Sequence, residues 1–135
     1  MPKSPVSPNI QIFGSSIILH QLSAVVDEIE GVKKAEDIEA VHRMRVATRR
    51  MRSALPIFGP FLAPRRHENW RKRIRAITRA LGAARDTDVQ IEHLNELVNR
   101  LTPPERAGVR RLLLRMRQRR RELQKDVLKA LRRLE

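Results

Sequence analysis

His42, Arg45, Arg49 and Arg52 recur at i, i+3, i+7 and i+10. On a helix that spacing sets four nitrogen-rich side chains in one row about 15 Å long. The chemistry such a row offers is anion binding. Each planar arginine fork donates two parallel charge-assisted hydrogen bonds to phosphate oxygens and stays charged at any relevant pH. A protonated histidine adds a donor, so binding is expected to strengthen at mildly acidic pH. Like charges one turn apart repel and weaken the helix that carries them, and no acidic residue lies between Glu39 and Glu68 to relieve them. A polyanion lying along the row would neutralise it; a solvated basic face is the plain alternative. Arg43 and Arg50 fall across the apolar sector formed by Val41, Met44, Met51, Leu55 and Phe58.

A second segment repeats the arrangement. Trp70, Ile74, Ile77 and Leu81 form an apolar stripe, and Arg71, Lys72, Arg75 and Arg79 occupy the neighbouring sector. If the two apolar stripes pack together, the two basic rows flank one groove.

The elements that must position these rows read as helices, with no convincing strand. The chain has 135 residues, a length for one domain. Residues 1–9, with three prolines, read as a flexible lead-in to a single domain over 10–135. Helical spacing of apolar residues predicts a first helix from Ile10 to Glu30, stopped near Gly31. A second, capped by Asp37, runs to Phe58 and ends at Gly59-Pro60; a third runs from Pro64 to Leu81 and stops near Gly82. Asp86 caps a fourth through Leu101, and Pro103-Pro104 open a long fifth towards Glu135. The expected fold is therefore all-α: an antiparallel bundle of about five helices with a long C-terminal helix.

Charge singles out the same stretch. The chain carries 29 Lys+Arg against 15 Asp+Glu, a net +14. Residues 1–41 hold 3 basic and 6 acidic side chains, residues 42–85 hold 13 and 1, and residues 86–135 hold 13 and 8. The absence of cysteine excludes disulfides, thiolate metal sites and cysteine nucleophiles. No uninterrupted apolar run of about 18 residues is present, so no membrane span is expected. With no secretion signal in view, a cytoplasmic, polyanion-seeking protein is the expectation.

The stretch Val41-His42-Arg43-Met44-Arg45-Val46-Ala47-Thr48-Arg49-Arg50-Met51-Arg52 resembles the signature of the CHAD family, the conserved-histidine α-helical domain. Leu81-Gly82-Ala83-Ala84-Arg85-Asp86-Thr87-Asp88-Val89 resembles that family's second marker, in the right order about 30 residues on. The resemblance covers roughly residues 10–130. It implies an all-helical fold that binds inorganic polyphosphate in a basic channel, with no known catalysis; whether that binding tethers the chain to polyphosphate granules stays open. The candidate polyphosphate contacts are then His42, Arg45, Arg49, Arg50 and Arg52 on the second helix, Arg71, Lys72, Arg75 and Arg79 on the third, and Arg85 beyond it. Arg85 has a competing role as a structural partner of Asp86 at the start of the fourth helix.

CHAD domains resemble a tandem of two halves, each with its own His/Arg helix, whereas this chain has one. A homodimer that rebuilds two halves is the expected assembly. Its weak support is a stripe on the fifth helix, Val109, Leu112, Leu113, Met116, Leu123, Val127, Leu131 and Leu134, which an intramolecular bundle face explains equally well. Nucleic acid is the second choice of partner, through backbone contacts to a duplex. The four aromatics are expected in the core, which leaves no platform for stacking single-stranded bases. Trp70 is among them. No enzyme activity, cofactor or metal is expected: the five glycines are scattered rather than gathered in a phosphate loop. Asp86 and Asp88 read as caps rather than magnesium ligands.

Overall fold

The computed structural model describes residues 7–62 and 64–134, the side chains of residues 62, 64 and 65 excepted. Within them the chain is helical: α1 (Pro8–Asp27), α2 (Ile29–Lys34), α3 (Ile38–Leu62), α4 (Pro64–Val98) and α5 (Pro103–Leu131). Four are long, and α2 is a six-residue turn and a half. Most of the expected lead-in, residues 1–6, lies outside the described residues. Residues 8 and 9 belong to α1, with Pro8 at its start, where a missing N–H costs nothing.

Two boundaries differ from the sequence expectation. The predicted third and fourth helices are one continuous helix, α4. A mid-helix glycine costs about 1 kcal/mol relative to alanine, but Leu81 and Ala84 on either side of Gly82 are fully buried in the core. Their burial outweighs that penalty, so Gly82 is no stop and Asp86 caps nothing. The predicted first helix is instead two pieces, hinged at Glu28. The second piece runs past Gly31 and stops at Ala35, which takes a left-handed backbone (φ 55°).

Pro56 and Pro60 sit inside α3, which continues past Gly59 to Leu62. Gly59 is needed for packing rather than termination, because a Cβ there would collide with the His67 ring. That ring approaches closely enough to hydrogen-bond the Leu55 carbonyl (2.8 Å) and so holds the start of α4 against α3.

α3 and α4 are the central pair: α1 and α2 pack on α3, and α5 packs on α4. The core between them takes Val25 and Val32 from α1 and α2, Val41, Met44, Met51 and Leu55 from α3, Ile74, Ile77, Leu81 and Ala84 from α4, and Val127 and Leu131 from α5. Both apolar stripes read from the sequence thus meet as expected, except at their aromatic ends. Trp70 and Phe58 are only half-buried, and Phe13 and Phe61 are exposed. Phe13 meets Phe58 edge to face at 5.9 Å. The expectation of four core aromatics fails at this end of the bundle.

Half of the α5 stripe is spent inside the chain. Leu113, Leu123, Val127 and Leu131 are buried, while Leu112 remains exposed. α1 is the unusual helix. Ile12, Leu19 and Val26, seven residues apart, are 69%, 62% and 53% exposed. No long apolar run in it is uninterrupted, but by length and mean composition Pro8–Lys34 contains a stretch long and apolar enough to cross a membrane. Its serines and histidine interrupt the apolar run without lowering the mean enough to exclude it.

Candidate anion-binding cleft

Packing α3 on α4 through the Met44–Met51 and Ile74–Leu81 stripes turns the polar sector of each helix towards a shared cleft. Arg45, Arg49 and Arg52 line it from α3; Arg75, Thr78, Arg79 and Gly82 line it from α4. Its volume is about 290 Å³. Arg49, Arg52, Arg75 and Arg79 are exposed, and Arg45 is half-buried. Arg45 lies against the α4 backbone, where a Cβ added to Gly82 would sit 3.7 Å from its Nε. The Thr78 hydroxyl donates to the Ile74 carbonyl (2.6 Å) and presents only lone pairs elsewhere. The one lining residue besides glycine that is not cationic therefore brings no negative charge.

Among the described residues, no carboxylate pairs with any of these five arginines. The acids lie elsewhere and are used elsewhere. Arg43 is gripped by Glu28 (Nε–Oε1 2.6 Å) and Asp37 (3.1 Å). The hydrogen bonds to Glu28 and then to Asp37 make it still harder to deprotonate. The Glu39 amide, followed by the Arg43 guanidinium, holds the Asp37 carboxyl below its usual range. Arg120 meets Asp88 at 2.7 Å, and Arg71 lies 3.8 Å from Glu68.

The candidate contacts thus divide. Arg45, Arg49, Arg52, Arg75 and Arg79 come together in the cleft. His42 and Arg50 do not line it; they face a groove between α1 and α3 with His20 and Arg43. Arg50 also borders, with Arg49, a hollow closed by Ile57 and Phe58. Lys72 turns to the other flank of α4, beside Arg73 and the end of α5. Arg71 is exposed and paired with Glu68. Arg85 pairs with Glu39 at 3.2 Å, not with Asp86, which is exposed. Because α4 is unbroken, Arg85 and Asp86 are successive helical residues that point about 100° apart.

The family model described as CHAD domain matches residues 16–135, nearly the whole chain. No curated protein and no solved structure matches.

Proposed function

This chain belongs to the CHAD family, and on that footing we propose that it binds inorganic polyphosphate along the α3–α4 cleft as a binding module without a catalytic step. One observation carries the reading: five arginines from two helices line one cleft, and no acid among the described residues answers them. Such a cluster raises the free energy of the empty protein through like-charge repulsion. A flexible chain of phosphates removes that cost, and each guanidinium can engage neighbouring phosphate oxygens in a fork. A cleft between two helices suits a thin, flexible polyanion better than a duplex, which needs a broad basic face. Arg50 and His42, in the separate α1–α3 groove, fall outside this reading, and Arg85 keeps a guanidinium that one carboxylate contact leaves partly unused.

The test is calorimetric titration with polyphosphate at fixed near-physiological salt, with duplex DNA and a single-stranded oligonucleotide as competitors. Fixed salt is needed because electrostatic affinities move steeply with ionic strength. Polyphosphate should outcompete both, and Arg49→Ala/Arg75→Ala should lose it. Equal binding of nucleic acid, with the exposed Phe13 and Phe61 serving as stacking faces, would replace this function with the nucleic-acid one.

We further propose that two copies pair through α1 rather than α5. Residues 8–26 carry no charged side chain, so this is the face on which two chains of net +14 can meet without opposing cations. Sedimentation velocity of Leu19→Glu against wild type tests it: the wild type should sediment as a dimer and the variant as a monomer.

A further inference from the structure

On the far flank of α4, Asn69, Lys72, Arg73 and Ala76 face Arg132 and Arg133 from the end of α5 across a second cleft of about 450 Å³. Four cations line it, and among the described residues none has an acidic partner. We propose that this α4–α5 cleft is a second anion subsite, which takes the continuation of a long polyphosphate after it leaves the α3–α4 cleft. The proposal rests on the polyphosphate reading above.

The two clefts are neighbours across a single helix. Lys72 and Ala76 line the second, and Arg75 and Arg79 line the first. Residues three and four apart on a helix have Cβ atoms about 5–6 Å apart, so Lys72, Arg75 and Arg79 make a basic ridge between the two hollows, with the small Ala76 beside them. A phosphate chain crossing that ridge meets no carboxylate on α4 between Glu68 and Asp86. The helix with its side chains is about 10–12 Å across. A tripolyphosphate therefore fills one cleft only, while a long chain can occupy both. Two clefts on one chain raise the affinity of the long ligand through effective concentration, with no change in either cleft.

Arg132 and Arg133 have a structural alternative, since cations near a helix C-terminus complement its partial negative charge. That role predicts a change in stability and none in chain-length preference, so the two can be told apart.

Titrate the full chain with tripolyphosphate and with a polyphosphate of about a hundred phosphates, at one fixed salt concentration. Compare wild type, Arg132→Ala/Arg133→Ala, and Arg110→Ala/Arg111→Ala, which removes the same charge from an exposed stretch of α5 outside both clefts. The 132/133 variant should bind the long chain about tenfold more weakly and lose about two units of its salt slope, one per phosphate contact removed. Its tripolyphosphate affinity should match wild type, and the 110/111 control should shift the long-chain affinity much less. Unchanged long-chain binding in the 132/133 variant overturns the subsite, as does an equal loss in the control. A parallel loss of tripolyphosphate overturns it too, because the clefts would then not be separate. Failure of the underlying reading looks different: wild type itself would not prefer polyphosphate to nucleic acid, and Arg49→Ala/Arg75→Ala would change nothing.

Discussion

The α3–α4 cleft and the α4–α5 seam both set arginine beside α4 and are held in opposite ways. In the seam, Arg120 donates to Asp88 at 2.7 Å and to the Gln124 side chain at 2.9 Å, and Gln124 in turn donates to the Val32 carbonyl at 2.8 Å. The Asp88 side chain is 5% exposed and that of Arg120 13%. In the cleft, five arginines line the walls with no carboxylate among the described residues to meet them. Arginine is thus a structural tie where the chain supplies an acid and an unspent binding group where it does not. Fold and function are separated by where 15 acidic residues were placed among 29 basic ones.

The largest effect that sharpens this contrast belongs to the seam. Asp88→Ala leaves Arg120 poorly solvated and without its counter-charge, and removing one partner of a buried pair costs about 3–5 kcal/mol. Chemical denaturation should register that loss, while the polyphosphate affinity of the folded fraction stays at the wild-type value. A small stability change would show that water reaches Arg120 more freely than its burial implies. Among the described residues, no hydrogen-bond partner meets the buried Oδ2 of Asp88.

The cleft should behave inversely. Arg45→Ala/Arg49→Ala should weaken polyphosphate binding by about 10- to 100-fold, roughly 1.4–2.8 kcal/mol. The thermal midpoint should hold or rise, because a like-charge pair at i, i+4 on α3 has been removed. A fall in both affinity and stability would erase the distinction between the two regions.

Much of this was legible in the residues and some was not, for identifiable physical reasons. Periodicity placed Met44, Met51, Ile74, Ile77 and Leu81 in one core, and the basic rows beside them followed, because a helix fixes faces rigidly. Five of the ten candidate contacts meet in one cleft. His42 and Lys72 sit one sector further round, a rotation that a wheel does not resolve without knowing the interhelical packing, whereas Arg50 lies across the apolar sector, where the wheel puts it, and was a candidate through the family resemblance alone. Gly82 misled because its backbone cost is local, while the burial of Leu81 and Ala84 that overrides it is tertiary. The Glu39–Arg85 pair joins residues 46 apart, and no local pattern announces it. Arg132 and Arg133 were invisible as a site for the same reason: their companions are on α4.

Gly82 offers a smaller test that touches both stability and the cleft. Alanine there should stabilise the fold by about 0.5–1 kcal/mol, the ordinary gain over mid-helix glycine. The space allows it, since the new methyl would stand 3.7 Å from the Arg45 Nε, an ordinary contact. If phosphate oxygens run along this part of α4, affinity should fall at the same time, as the methyl narrows the cleft wall. Higher stability with unchanged affinity would move the bound chain away from Gly82 and towards Arg49 and Arg52.

The smallest expected effect is on pH. Asp37 accepts from the Glu39 amide (2.8 Å) and from Arg43 (3.1 Å), which holds its carboxyl below the ordinary 3.8. Glu105 accepts from the Thr102 hydroxyl (2.7 Å) and the Thr102 amide (2.9 Å) at the start of α5 and lies below its ordinary 4.5. A carboxyl that ionises more readily folded than unfolded stabilises the fold above its unfolded value, and that contribution is lost as pH falls through the folded one. Thermal midpoints should therefore decline as the pH drops below 4.5 and then below 3.8, more shallowly in Asp37→Asn and in Glu105→Gln. Both groups are exposed, so solvent and salt screen the effect and the decline should be modest. The cleft arginines do not titrate anywhere in this window. Acid should thus loosen the tied part of the molecule while the charge of the cleft stays as it was, and a steep loss of polyphosphate binding between pH 5 and pH 4 with the fold intact would mean that the carboxylate ties, not the arginines alone, position the site.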